Sequence, residues 1–231
     1  MTPAPMLTAL TADIWILPRP MRFFGVETGT RMTVVRLADG ALFIHSPVAL
    51  DAALRAEIDA LGPVKAIVAP SLFHHLFAGE WAAAYPQASL SACPGLEKKR
   101  SDLKWSRVLG DAPEAEWSGE LDQVFFGART MENEVIFFHH KSKTIVSSDF
   151  MFNLATHPSA FTRAVAFLLG QRAPGPTWLE HVMIRDRIAA RAQMDRVVAW
   201  GAERVVLAHG EIITTNGSDA VDRAYRWLTP R

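Results

Sequence analysis

Along the chain, runs that alternate apolar and polar residues give way to runs with helical spacing, and the switches fall at turn-forming residues. "IWILPRP" (Ile14 to Pro20) reads as a short strand stopped by prolines. In "RMTVVRLADGALFIHSP" two apolar runs flank Ala38-Asp39-Gly40, which predicts a hairpin. "DAALRAEIDALGP" sets Leu54, Ile58 and Leu61 at helical spacing, with Gly62-Pro63 as the stop. Strand "VKAIVAP", a loop holding His74 and His75, helix "GEWAAAYP" and strand "ASLSACPG" follow. The stretch from Leu96 to Trp117 is irregular. "DQVFFGA" and "EVIFFHH" read as strands, and the second turns at Lys141-Ser142-Lys143 into "TIVSSD". Beyond Asp149 the pattern predicts a helix from about Ser159 to Leu169, a break at "APGP", and a longer helix near Trp178 to Trp200. "RVVLAHG" reads as a last strand, and a helix from about Ser218 to Leu228 ends the pattern.

Early hairpins followed by strands alternating with helices predict an α/β (α+β layered) fold built on mixed sheets. No internal repeat or long linker divides the 231 residues, so a single domain over 1–231 is expected. Functional groups of such folds gather where strands end. Here strands end on His45, the His74-His75 loop, Asp149 and His209.

Composition narrows the partners. Lys+Arg and Asp+Glu number 24 each, so there is no electrostatic ground for nucleic acid or an anionic membrane as partner. The only cysteine, Cys93, rules out a disulfide framework and a Cys-rich zinc site, and its place before Pro94 predicts a buried strand-end thiol. No signal-peptide pattern is present, and no apolar run approaches the ~20 residues needed to span a bilayer. A soluble, cytoplasmic protein acting on a small molecule is the expectation.

The order of elements, with His74-His75 ahead of Gly79-Glu80-Trp81, "SSD" after the second strand set and a final "AHG", resembles the metallo-β-lactamase superfamily. Within it the chain looks most like a divergent, DUF4336-like branch. The resemblance implies an αββα sandwich with one or two divalent metals at one rim, activating water for hydrolysis. The superfamily's principal motif, HxHxDH followed by Gly, registers here on Gly79. Its ligand positions then fall on Leu72, His74, Leu76 and Phe77, of which His74 alone keeps a ligand type. The next histidine position, near residues 129–131, holds none. Asp149 keeps the acid of the bridging motif, and His209 keeps the last imidazole. His45-Ser46-Pro47 stands where the superfamily carries an acid that supports the ligands from behind.

Two functions follow from that retained set. In the first, the chain is a metal-dependent hydrolase of a small ester, thioester or phosphoester with a reduced, mononuclear site. His74, Asp149 and His209 are its ligands, His75 or His45 assists, and Glu80 serves as general base. Zinc is the default ion, with iron and manganese also compatible. In the second, the fold persists without metal. His74 and Asp149 then form a buried hydrogen-bonded pair beside His209, and the chain binds a ligand or associates with a partner.

Glu134 is a further candidate carboxylate donor, and His157 a candidate to fold over the rim. His139 and His140 read as turn-end polar residues, and His181 as a helix-packing residue. Leu72, Leu76 and Phe77 are expected to be core-like. Trp105 and Trp117 read most simply as core or interface residues, and, lying in the irregular segment expected to cover the rim, are also candidates for a pocket lining or a homodimer contact.

Overall fold

The computed structural model describes residues 7–128 and 133–228. Its first half holds strands β1 (Thr8–Ala9), β2 (Ile14–Arg19), β3 (Arg22–Phe23), β4 (Val26–Glu27), β5 (Thr30–Arg36), β6 (Leu42–His45), β7 (Val64–Ala69), β8 (Ser89–Ala92) and β9 (Arg107–Val108). Helices α1 (Ala52–Leu61), α2 (Ala78–Ala84) and α3 (Leu96–Lys99) connect the later ones. The second half holds β10 (Leu121–Phe126), β11 (Glu134–His139), β12 (Thr144–Val146) and β13 (Arg204–Val206). Its helices are α4 (Ala160–Leu168), α5 (Glu180–Met183), α6 (Arg187–Ala199) and α7 (Gly217–Tyr225), followed by a 3₁₀ turn over Arg226–Leu228.

Seven strands form one sheet in the order β1-β2-β5-β6-β7-β8-β9, and four form a second in the order β10-β11-β12-β13. The sheets pack face to face with helices outside, an αββα sandwich. Strand β11 shows why. All six of its residues are buried, and successive side chains face opposite ways. Val135 and Phe137 join the core between the sheets, where Phe43 and Phe137 stand edge to face at 5.1 Å. Ile136 and Phe138 join a second core against α6 and α7, with Met194, Val197 and Val221.

Helix α1 begins where the Asp51 carboxylate accepts the Leu54 amide at 2.8 Å. It stops at Gly62, whose φ is 154°; a Cβ there would lie 2.3 Å from the Gly40 carbonyl oxygen in the β5–β6 turn. The single helix expected over Trp178 to Trp200 is instead two. Asp186 leaves helical backbone and its carboxylate caps the Ala189 amide at 2.9 Å, so α6 starts afresh after extended Ile184.

The segment from Leu96 to Trp117 touches the rim cavity through Lys99, while its two tryptophans pack against the inter-sheet core. Trp117 is 1% exposed in the inter-sheet core, its indole donating to Gln123, and this overturns its reading as a pocket or dimer residue. Trp105 is half-buried against the same core and donates to the Arg100 carbonyl. Cys93 is fully buried, and burial pushes its thiol up. Among the described residues no helix is long and apolar enough to cross a membrane.

Strands β6, β7 and β8 run parallel, as do β12 and β13. The loops after β6, β7, β12 and β13 therefore carry Ser46, the Ser71–Phe77 loop, Asp149 and His209.

Candidate metal centre

His74, Asp149 and His209 meet at that rim, each less than a tenth exposed. One donor atom from each lies within 4.8 Å of the other two. The His74 and His209 Nε2 atoms stand 3.1 Å apart, and the Asp149 Oδ1 oxygen is 3.2 Å from the first and 3.3 Å from the second.

Each donor is held from behind. His209 Nδ1 lies 2.7 Å from the Gly29 carbonyl oxygen. A carbonyl only accepts, so that nitrogen carries a proton, and in the neutral imidazole Nε2 is then the atom with the lone pair. His74 Nδ1 is 2.5 Å from Ser46 Oγ. Ser46 takes a left-handed backbone, φ 55°, uncommon for a residue with a Cβ, and so turns its hydroxyl toward the imidazole. Ser71 donates to Asp149 Oδ2 at 2.5 Å and accepts the His74 amide at 3.1 Å. It ties acid to histidine loop across 78 residues of sequence.

A further layer positions the backbone. The buried Glu134 carboxylate accepts the Ser148 amide at 2.5 Å, the Ser148 hydroxyl at 3.0 Å and the Asp149 amide at 2.8 Å. The expected role of Glu134 as an inward donor gives way to this one: it clamps the turn that presents Asp149. Arg31 donates to the carbonyls of Leu207 and Gly210, on either side of His209, the second at 2.8 Å. Gly210 has φ 83°, and a Cβ there would lie 1.9 Å from the Asn153 carbonyl oxygen, so the His209 loop closes tightly on the loop after Asp149. Phe152 stacks on the His209 ring at 5.2 Å.

The three donors form the floor of a cavity. Burial pushes the Asp149 carboxyl up, but the His74 imidazole and the hydrogen bonds from His209 and His74 outweigh it. They hold the acid well below the usual carboxylate range. Above the floor opens a cavity of about 260 Å³, lined by Met21, Phe23, Phe73, Leu76, Phe77 and Phe152 among others. Lys99 reaches its rim, donating to the Leu72 carbonyl at 2.5 Å with its ammonium 5.0 Å from the Phe73 ring. Leu76 is 59% exposed and forms cavity wall, whereas Leu72 and Phe77 pack against the core as expected, Phe77 also bordering the cavity.

The other candidates lie elsewhere. His75 borders the cavity but stands outside the three-donor group; its Nδ1 accepts from the Arg100 guanidinium at 3.1 Å. Burial, Lys99 and Arg100 lower its pKa to about 4. His45 points into apolar surroundings, edge-on to Phe137 at 5.7 Å, with neither ring nitrogen hydrogen-bonded. Burial and the nearby His74 lower it to about 3. Glu80 is exposed and accepts the Leu50 amide at 3.2 Å, because the first turn of α2 carries it toward the β6–α1 loop. Glu80, expected as the general base, is not among the residues that line the cavity over the three donors. His157 Nδ1 accepts the Ser159 amide at the start of α4, not over the rim. The histidine position sought near residues 129–131 lies outside the described residues.

Solved structures share this architecture. The chain superposes on the DIM-1 metallo-β-lactamase exposed to ceftazidime with a TM-score of 0.67 and 16% identity, covering 98% of this chain and 99% of that one. It matches the metallo-β-lactamase of Pontibacter korlensis with a TM-score of 0.65 and 12% identity over 95% and 98% of the two chains. For the mono-zinc form of FIM-1 from Pseudomonas aeruginosa the values are 0.61 and 12%, over 97% and 96%. The fold is thus that of the metallo-β-lactamases. The chain itself belongs to the family described as "Domain of unknown function (DUF4336)", whose model matches residues 11–174. No curated protein matches it.

Proposed function

We propose that the chain is a metal-dependent hydrolase with a mononuclear centre held by His74, Asp149 and His209. One observation carries this reading: the mutual spacing of the three donor atoms. Donors at roughly 2.0–2.1 Å from a tetrahedral zinc stand about 3.3–3.4 Å apart. The three separations here are 3.1, 3.2 and 3.3 Å. Two imidazole nitrogens and a carboxylate oxygen suit zinc, and iron or manganese as well. Lone pairs packed this closely, away from water, also repel unless a cation lies among them.

His74, Asp149 and His209 would hold a divalent ion there, and the chemistry it would supply when bound is a water with its pKa lowered toward ~7, a nucleophile at neutral pH. The protein's own groups do the rest. Ser46 and the Gly29 carbonyl fix the two imidazole planes, Ser71 leaves Asp149 Oδ1 turned inward, and Glu134 holds the turn beneath. The apolar walls exclude water and suit a substrate with an apolar body, while Lys99 at the rim favours an anionic group on it. A small ester, thioester or phosphoester of that kind is the substrate class.

The test is elemental analysis of protein purified without a His-tag or chelator. About one equivalent of zinc, iron or manganese per chain is expected, and none in His209→Ala. Wild type free of metal after incubation with each ion sinks the hydrolase. It leaves the alternative, in which a proton on an imidazole binds His74 to Asp149 and the domain acts in ligand binding or association.

A further inference from the structure

A second cavity, of about 380 Å³, lies between residues 170–176, His181 of α5 and residues 220–227. Its lining carries Arg172, Arg223 and His181 and no carboxylate; Glu180 is buried next to His181 but does not line it. Several arginines elsewhere pair with acids, Arg36 with Asp13, Arg107 with Glu116, Arg191 with Asp195 and Asp222, Arg196 with Asp111, while others such as Arg31 and Arg163 donate to backbone carbonyls. Arg172 and Arg223 have no ion pair among the described residues. Arg172 rests on the Phe167 ring at 4.9 Å, which positions its guanidinium without neutralising it.

Beside these charges is an aromatic platform. His181, expected only to pack a helix, stacks on Trp227 with ring centroids 3.8 Å apart, and the Arg187 guanidinium lies 5.5 Å from the same indole. Trp227 borders the cavity with its indole, while its Nε1 is turned away into buried surroundings. The loop over the cavity is fixed. Gly175 exchanges two 3.0 Å backbone bonds with Phe152, and a Cβ on it would meet the Ala224 Cβ at 3.4 Å.

We propose that this cleft binds a small phosphorylated ligand bearing a planar ring. Arg172 and Arg223 take the phosphate and His181 carries the ring. Two guanidinium forks without an acid partner offer more donors than a lone carboxylate can accept, and match the three oxygens of a phosphate dianion. The stacked imidazole offers the flat face that a ring needs.

Isothermal titration calorimetry on the full chain with adenosine 5′-monophosphate, inorganic phosphate and adenosine tests this. The monophosphate is expected to bind saturably and more tightly than phosphate, and adenosine not at all. Arg172→Ala/Arg223→Ala weakens the monophosphate by about tenfold or more; both side chains are exposed, so folding, checked by circular dichroism, is retained. His181→Ala weakens the monophosphate and spares phosphate, and His209→Ala, which removes a ligand of the metal centre, retains the saturable monophosphate binding that the double arginine variant loses. The proposal is overturned by the absence of saturable binding at millimolar ligand, by affinity unchanged in the double variant, or by binding lost in His209→Ala, which would put the anion at the metal centre.

Discussion

The two ends of the sandwich hold similar residues and arrange them differently. At one end, loops after β6, β7, β12 and β13 bring two histidines and an aspartate to a single buried point. At the other, His139 pairs with Ser142 at 2.8 Å, and His140 lies 3.2 Å from Asp122 with both side chains about two-fifths exposed. The inventories are alike: two imidazoles, a carboxylate and nearby hydroxyls. Topology makes the difference. Parallel strands deliver the ends of distant segments to one edge, whereas the β11–β12 hairpin turns back locally and its polar groups pair with neighbours and solvent. The second difference is anchoring, since each rim donor has a partner behind it and so cannot rotate away.

Four changes break or sharpen that contrast. The largest effect is expected from Gly210→Ala, which drives a Cβ into the Asn153 carbonyl at a left-handed position. It should cost about 2–4 kcal/mol, read from the urea midpoint; an unchanged midpoint would show that the two loops are free to separate. Glu134→Gln comes next. An amide cannot accept from the Ser148 and Asp149 backbone together as the carboxylate does, so metal affinity should fall roughly 10–100-fold in a chelator competition. Retained affinity would mean that the clamp does not position Asp149.

His45 makes a pH-dependent contribution. Its pKa is lowered from 6.5 to about 3, so below pH 6.5 the unfolded chain binds a proton that the folded chain refuses. Stability from this group is complete above pH 6.5 and falls as the pH drops toward 3, by up to about 1.4 kcal/mol per pH unit. His45→Phe should flatten that acid limb in urea titrations, and a limb of the same slope would assign it to other groups. The smallest effect belongs to the opposite end: His140→Ala should change stability by less than about 0.5 kcal/mol and leave metal content untouched.

Much of this was legible in the residues. Period-two runs, the Asp39-Gly40 turn and the Gly62 stop located strands and helices because they depend on neighbours. Adjacency misled at the site for the same reason. His75 and Glu80 flank the histidine loop but leave it on other faces, toward Arg100 and Leu50. The helix read through Ile184 failed because a local competitor, the Asp186 cap, outweighs continued apolar spacing.

What the sequence determined alone is the order of elements and the kinds of side chain at the strand ends, His74, Asp149 and His209 among them, since both follow from short-range pattern. Only the tertiary structure decided which of those ends converge and what holds them. Ser46 reaches His74 across 28 residues, Ser71 reaches Asp149 across 78, and Arg31 braces Gly210 across 179. Hydrogen bonds over such separations leave no local periodicity to read; they exist once two sheets have packed and closed water out between them.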